Sequence, residues 1–269
     1  MEILLMAAVL PIIGLCYYVY IKDINKEPKN LLTKLFIYGV LTVIPILIFE
    51  IGLGKYFPTE KVSNFTQLFI NVFIAVALVE EGFKWIVVKM ISYDHNEFDE
   101  VYDIIVYSVF VSLGFACLEN ILYVISGGVS TAILRALSAV PGHACFGVMM
   151  GYFFSKAKVA DINGNKSLTG TNLFLSILVP VLFHTMYDAL LFYFIEVEQT
   201  YLIGLFLIFD IIMVVISFIT VNKMSKIQKN INNVIKTGVI PKDINNYCPI
   251  CRNNVEGVNY CSKCGFKVK

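Results

Sequence analysis

The chain has 269 residues, of which 58% are hydrophobic and 15% are charged, and its formal net charge at neutral pH is +1. A soluble domain carries roughly 25% charged residues on average, and a water-soluble fold of this length could not bury so much apolar surface. The composition therefore excludes an ordinary soluble protein and indicates an integral membrane protein. The balanced charge gives no reason to expect a nucleic acid or an acidic substrate as a partner.

Apolar stretches long enough to cross a bilayer recur along most of the chain. A spanning helix needs about 20 mostly apolar residues, and about seven stretches qualify, at residues 3–21, 31–53, 69–90, 104–125, 133–154, 173–194 and 201–221. The first has no basic start and no clear small-residue cleavage site, so we interpret it as a retained anchor. The predicted fold is all-α, a polytopic transmembrane helix bundle of about seven helices formed by residues 1–221.

Charged loop residues predict the orientation of this bundle. Lysines cluster after the first, fifth and seventh predicted helices, at Lys22, Lys26, Lys29, Lys34, Lys156, Lys158, Lys166, Lys223, Lys226 and Lys229. Short cytoplasmic loops carry an excess of lysine and arginine. We therefore predict a multi-pass protein of the cell membrane, surrounded by the lipid bilayer, with its amino terminus outside and its carboxyl terminus in the cytoplasm.

The composition changes after the last predicted span. Residues 222–246 are rich in asparagine and lysine, and they are predicted to form a cytoplasmic linker with an amphipathic helix around residues 224–235. Residues 247–269 are too few to build a hydrophobic core of their own. A bound metal would therefore have to supply the stability of this last segment.

Four cysteines in the last segment have the spacing of a zinc site. They form two Cys-x-x-Cys pairs, Cys248 with Cys251 and Cys261 with Cys264. Four thiolates at this spacing are typical of a structural, tetrahedral zinc site. We predict that residues 247–269 form a zinc ribbon that binds Zn²⁺. Because four thiolates close the coordination sphere, we expect the ribbon to dock a cytoplasmic protein partner rather than to catalyse a reaction.

Ionisable and polar side chains interrupt four consecutive predicted spans. They are Glu80, Glu81 and Lys84 in the third, Glu119 and Asn120 in the fourth, Arg135 and His143 in the fifth, and His184 and Asp188 in the sixth. Such groups are costly inside a membrane and are candidates for function. Contacts that merely hold helices together are the alternative, but this set is larger than that role requires.

Helical spacing lets several of these side chains meet. Residues three or four apart share a helix face, so Lys84 can reach Glu80 or Glu81, and His184 can reach Asp188. A carboxylate can take a proton from water and return it later, and a histidine N–H can hydrogen-bond the oxyanion of an attacked carbonyl. Glu80 or Glu81 as general base, with His184 or His143 as oxyanion donor, would form a hydrolytic site.

In this order the motifs resemble those of the PrsW family of intramembrane proteases, which is related to the CAAX prenyl endopeptidases. The matching elements are Glu80-Glu81-x-x-Lys84, Asp103-Ile-Ile-Val-Tyr107, Gly114-Phe115-Ala-x-x-Glu119-Asn120, Arg135 with His143 and Gly151, and His184-x-x-x-Asp188. Together they cover the third to the sixth predicted helix. Each motif alone is weak, whereas four in order on consecutive membrane helices are specific.

The resemblance implies a glutamic-type endopeptidase in which glutamate activates water and the catalytic site needs no metal. It favours Glu80 as the base and His184 as the group that polarises the scissile carbonyl, with Glu119, His143 and Asp188 also catalytic. Lys84, Asn120 and Arg135 would support them. The implied substrate is a membrane-anchored protein similar to an anti-sigma factor, cut near the outer face in a site-1 cleavage.

Two alternatives remain open on the sequence alone. The same glutamate, histidine and aspartate residues could bind a catalytic zinc ion, since zinc hydrolases use histidine and carboxylate ligands. The chain could also be a non-enzymatic membrane scaffold or a transporter. Chelation and a Glu80→Gln substitution would separate these readings from the metal-free protease.

Overall fold

Helices account for nearly all of the described chain, as predicted. The computed structural model describes residues 2–237 together with 248, 253–255 and 260–261. In these residues the α-helices are α1 Glu2–Lys22, α2 Lys29–Gly54, α3 Phe65–Val72, α4 Leu78–Ile91, α5 Asp103–Leu137, α6 Ala139–Ile162, α7 Lys166–Val197 and α8 Thr200–Thr237. A π-helical segment, Phe73–Ala77, joins α3 to α4.

Five segments of the described chain are long and apolar enough to cross a membrane. They are Leu4–Lys22, Lys29–Gly54, Asp103–Ile162, Lys166–Val197 and Thr200–Asn232. The third segment is 60 residues long and contains both α5 and α6. The predicted span at 69–90 is absent from this set, and it carries Glu80, Glu81, Lys84 and Lys89. Its helix is nevertheless continuous with the π segment and packs within the bundle.

One predicted boundary was wrong. The stretch 133–154 was expected to be a single helix, but α5 continues to Leu137 and α6 begins only at Ala139. Arg135 therefore lies on α5 and not on the same helix as His143. The apolar composition runs across the turn at Ser138 without a change, so a hydropathy pattern has nothing there to detect. Within α5, Gly128 has φ +73° and breaks the helical path.

Glycines bring α5 into close contact with its neighbours. An added Cβ at Gly39 of α2 would overlap the carbonyl of Val111, and one at Gly114 of α5 would overlap the carbonyl of Phe36. On the other side, Gly147 and Gly151 of α6 face Val109 and Ile105 in the same way. In both pairs of contacts the residue numbers rise along one helix and fall along the other, so α2 and α6 are antiparallel to α5. Small residues permit such close approach of helices in membranes.

The last helix is longer than its predicted span. It continues past Val221 to Thr237, and Met224, Ile227 and Ile231 lie buried against the bundle. Their spacing of three and four residues gives one apolar face. The stretch predicted as an amphipathic helix at 224–235 is therefore a continuation of α8.

Candidate active site

Lys84 forms the centre of a buried cluster on α4. Its ammonium donates to Glu80 Oε2 at 3.0 Å and to Glu81 Oε1 at 2.8 Å, and all three side chains are buried. The contacts use the i,i+4 and i,i+3 spacings of a helix, which place both glutamates on the side of the lysine. The ammonium also lies 3.9 Å from the centre of the Phe115 ring, a cation–π contact with α5.

His184 of α7 lies between carboxylates from two helices. Its Nδ1 is 3.1 Å from Glu81 Oε1, and its Nε2 is 3.1 Å from Asp188 Oδ2 and 4.0 Å from Glu80 Oε2. The ring stacks on Phe146 of α6 with 4.6 Å between centroids. In this packing the two nitrogens of the imidazole are directed at the acidic groups.

His143 connects this cluster to a second ion pair. Its Nδ1 is 3.4 Å from the Lys84 ammonium, and its Nε2 is 2.9 Å from Glu119 Oε2. Since the ammonium can only donate, His143 accepts at Nδ1 and donates from Nε2. Glu119 also accepts from Arg135 at 2.5 Å, and Arg135 donates to Asn120 Oδ1 at 2.8 Å.

The structure thus brings together every residue that the sequence predicted for the catalytic cluster. A continuous series of polar contacts runs through Asp188, His184, Glu81, Lys84, His143, Glu119, Arg135 and Asn120, with Glu80 attached to Lys84. Four helices supply these groups. The individual catalytic roles stay predictions, because geometry alone does not assign them.

A cavity of about 1000 Å³ opens beside the cluster, and only one of the two adjacent glutamates lines it. Glu80 lines it, together with Glu119, Arg135, His143, His184 and Asp188. Glu81 does not line it, and the buried Glu81 Oε2 has no hydrogen-bond partner. Glu80 is therefore the member of the pair that can meet a substrate.

Sequence reasoning missed two acidic residues of this cavity. Glu50 of α2 and Asp210 of α8 both line it. Each is a single acid within an apolar stretch, which by itself marks a candidate functional residue. The signal was available in the sequence, but neither residue belongs to one of the recognised motifs.

The residues of the cluster also offer a set of metal ligands. One atom each from Glu80, Glu81 and His184 lie within 4.8 Å of one another, and carboxylate and imidazole are typical ligands of catalytic zinc. The donor types therefore fit a metal. The position of Lys84 opposes one, because its ammonium already contacts both carboxylates and would repel a cation bound there.

The predicted zinc ribbon lies largely outside the described residues, and these exclude Cys251 and Cys264. Cys248 and Cys261 are described, and both are completely buried. The backbone N–H of Tyr260 donates to Asn163 Oδ1 at 3.1 Å, at the end of α6. This part of the tail is therefore in contact with the helix bundle.

Comparison with known proteins identifies the family. Residues 27–220 match the model of the "PrsW family intramembrane metalloprotease". The chain is similar to proteins named Protease PrsW, being 42% identical to that of Oceanobacillus iheyensis over 70% of this chain and 82% of the relative. It is 42% identical to the Bacillus subtilis protein over 69% and 81%, and 32% identical to the Clostridioides difficile protein over 86% and 92%.

No solved structure matches the chain significantly. The family match covers α2 to α7 and residues 200–220 of α8, and it includes every residue of the polar cluster. The chain belongs to the PrsW family of intramembrane proteases.

Proposed function

We propose that the chain hydrolyses a membrane-anchored protein with a water molecule activated by Glu80, and that this step uses no metal. One observation carries the proposal: Glu80 opens on the cavity, whereas its neighbour Glu81 is enclosed by Lys84 and His184. The alternative of a non-enzymatic scaffold or transporter is dropped, because the chain belongs to a family of peptidases.

In the proposed reaction Glu80 takes a proton from water as the water oxygen bonds to the scissile carbonyl carbon. His184, whose Nε2 lies 4.0 Å from Glu80 Oε2, stabilises the negative oxygen of the tetrahedral intermediate. Glu80 then transfers its proton to the amide nitrogen as the C–N bond breaks. Lys84 holds Glu80 in position and balances its charge.

His143 and Glu119 are proposed to act on the other side of the cavity. His143 donates from Nε2 to Glu119, which Arg135 holds in turn. Both side chains line the cavity, so they can hydrogen-bond the backbone of a bound peptide. Asn120 takes part indirectly, since it accepts from Arg135 and donates to the carbonyl of Ala8 at 2.8 Å.

The position of the cavity supports cleavage near the outer face. Its lining includes Phe57 and Thr59 after α2, and Phe194 and Ile195 near the end of α7. These lie at the opposite ends of their helices from Lys29 and Lys166, which belong to the predicted cytoplasmic loops. The predicted orientation, with the amino terminus outside, therefore exposes the cavity to the outer side. A single-pass, anti-sigma-factor-like protein cut in a site-1 cleavage is the proposed substrate.

For the tail we propose a structural zinc ribbon at Cys248, Cys251, Cys261 and Cys264. The complete burial of Cys248 and Cys261 in so short a segment supports it, since thiolates bound to zinc are shielded from solvent in such sites. The proposed role of the ribbon is to dock a cytoplasmic protein.

A zinc-dependent mechanism is the second candidate, and the ligand set of Glu80, Glu81 and His184 favours it. The name of the matching family model also describes its members as metalloproteases. When bound, the ion would acidify a water molecule. Lys84 would then have to release both carboxylates, and we place this mechanism second for that reason.

The deciding experiment co-expresses the chain with an anti-sigma factor that has one membrane span and a cytoplasmic tag. We expect Glu80→Gln to lower the cleavage rate by about 100-fold or more, the range of general base catalysis. Glu81→Gln should leave more activity, since Glu81 does not line the cavity. Glu60→Gln, on an exposed loop residue, is the matched control at equal protein level. Cleavage by Glu80→Gln at the wild-type rate would refute the mechanism.

A further inference from the structure

A second group of buried acids lies where α1 ends and α5 begins. Asp23, Glu100 and Asp103 are 2%, 9% and 0% exposed, and none of them belongs to the catalytic cluster. Asp103 and Glu119 are 16 residues apart on the part of α5 before Gly128. At 1.5 Å per residue this separates the two groups by about 24 Å. The acids at the start of α5 therefore need an explanation of their own.

Each of the three carboxylates has only one oxygen engaged. Asp23 Oδ2 accepts from the backbone N–H of Glu27 at 3.3 Å, and Asp103 Oδ2 accepts from that of Glu100 at 2.6 Å. Glu100 Oε1 accepts from Asn232 of α8 at 3.0 Å and from Asn25. The remaining oxygens, Asp23 Oδ1, Glu100 Oε2 and Asp103 Oδ1, are buried without a hydrogen-bond partner.

No side-chain cation in the described residues forms an ion pair with these carboxylates. Lys26 belongs to the same loop, but its ammonium donates to backbone carbonyls, at 2.9 Å to Tyr20 and 3.1 Å to Ile21. Burial of several unpaired carboxylates is strongly unfavourable. The Lys26 ammonium also donates to the backbone carbonyl of Asp23 and attracts the Asp23 carboxylate from there. Among the described side chains, however, no cation lies in direct contact with any of the three carboxylates.

The arrangement of oxygens fits one class of partner. One oxygen each from Asp23, Glu100 and Asp103 lie within 4.8 Å of one another. Mg²⁺ and Ca²⁺ prefer oxygen ligands at about 2.1 and 2.4 Å, respectively, so oxygens on opposite sides of one ion are about 4.2 to 4.8 Å apart. We propose that Asp23, Glu100 and Asp103 bind one hard divalent cation, Mg²⁺ or Ca²⁺, with water completing its coordination.

This cation would join three parts of the fold. Asp23 follows α1, Asp103 begins α5, and Glu100 is hydrogen-bonded to Asn232 of α8. Gln228 of α8 also accepts from the backbone N–H of Val101 at 3.2 Å. A bound ion would therefore hold the last turns of α8 against the bundle and stabilise the folded chain.

The test measures thermal unfolding of the purified full-length chain by circular dichroism in detergent. Divalent ions are first removed with a chelating resin. A constant trace of Zn²⁺ is then added, so that zinc binding by the tail cysteines does not vary between samples. Mg²⁺ and Ca²⁺ are titrated in separate experiments. At 100 times its Kd, the bound ion should raise the Tm by roughly 5 °C or more. Asp103→Asn should remove this rise. The ion that gives the larger shift at equal concentration is the occupant.

Asp94→Asn is the matched control, because Asp94 is an exposed loop acid that pairs with Lys89 at 3.5 Å. It should keep the full rise in Tm. The proposal is overturned if neither ion stabilises the wild-type chain, or if Asp103→Asn is stabilised as much as the wild type. It is also overturned if lowering the pH raises the Tm of the wild type while neither ion does, since protonation of the carboxyl groups would then explain their burial.

A second measurement covers the case in which Asp103→Asn fails to fold. Binding of Mn²⁺, as a paramagnetic substitute for Mg²⁺, is followed by electron paramagnetic resonance on the wild-type chain. We expect one bound ion per chain that Mg²⁺ or Ca²⁺ displaces, and at least 10-fold weaker binding in Asp23→Asn. The absence of a displaceable ion would overturn the proposal.

Discussion

Arg135 and Glu119 form an ion pair of 2.5 Å although 16 residues of α5 separate them. In a straight helix that separation would be about 24 Å. The interruption at Gly128, with φ +73° and ψ −158°, turns the end of α5 back on its earlier part. A single glycine therefore determines whether the guanidinium can hold the carboxylate that contacts His143.

The first prediction concerns this interruption. Gly128→Ala should destabilise the chain by about 1–3 kcal/mol, because the backbone angles at Gly128 are ones that essentially only glycine adopts. No atom lies within 4 Å of an added Cβ, so the effect would come from the backbone alone. We also expect slower cleavage, since Arg135 would lose its contact with Glu119. Thermal unfolding and the cleavage assay measure the two effects.

Gly170→Ala is the control for that substitution. Gly170 is also in a helix with open space around it, but its φ is ordinary. This variant should be as stable as the wild type or slightly more so. Equal stability of both alanine variants would contradict the role given to Gly128.

The second prediction concerns the charge of Lys84. Lys84→Met should lower the free energy of unfolding by about 3–5 kcal/mol, because Glu80 and Glu81 would keep buried charges without their ammonium partner. The double variant Lys84→Met with Glu81→Gln should regain part of the loss, since one of the two carboxylates is then neutral. Denaturant unfolding in detergent measures both values.

Lys89→Met on the same helix is the matched variant. Lys89 pairs with the exposed Asp94 at 3.5 Å, so its removal should change stability by less than about 1 kcal/mol. If Lys84→Met unfolds at the same denaturant concentration as Lys89→Met, then Lys84 does not neutralise the cluster.

The third prediction concerns the close contact of α2 with α5. Gly114→Ala should cost about 1–3 kcal/mol, because its Cβ would overlap the backbone carbonyl of Phe36, which cannot rotate away. Gly52→Ala on α2 meets no atom within 4 Å and should be nearly neutral. The difference in Tm between the two variants measures the contact. A difference of zero would mean that the helices can move apart freely.

The fourth prediction separates the two mechanisms. Treatment of the purified chain with 1,10-phenanthroline should release zinc from the proposed ribbon, which a colorimetric zinc dye detects, and change the cleavage rate by less than about twofold. Cys261→Ser should bind no zinc in the tail and cleave at the wild-type rate. If the chelator abolishes cleavage by this variant as well, and added Zn²⁺ restores it, the catalytic site is a metal site.

Much of the catalytic cluster could be predicted from the sequence. Ionisable residues at membrane depth are rare because they are costly, so Glu80, Glu119, His143 and His184 stood out in apolar surroundings. Their helical spacing also predicted the contacts of Lys84 with its glutamates and of His184 with Asp188, which the structure contains. Both are local pairs within one turn of a helix.

Other features were not accessible in this way. The helix boundary at Ser138 lies within a continuous apolar stretch, and a hydropathy pattern does not change at a turn whose residues are as apolar as the helices on either side. Glu50 and Asp210 belong to no motif, and only the packing of α2 and α8 shows that they share a cavity. The same applies to Asp23 and Asp103, which are 80 residues apart in the chain.

The sequence by itself determined that this chain is a helical membrane protein and which of its side chains are candidates for chemistry, because composition and helical period are local properties. Only the tertiary structure decided which glutamate faces the cavity and which is enclosed. Adjacent glutamates on α4 have the same neighbours in sequence but point about 100° apart around the helix, and only the packing of the other helices shows that Glu81 meets His184 at 3.1 Å while Glu80 lines the cavity. Selection between the two requires a contact from outside their own helix.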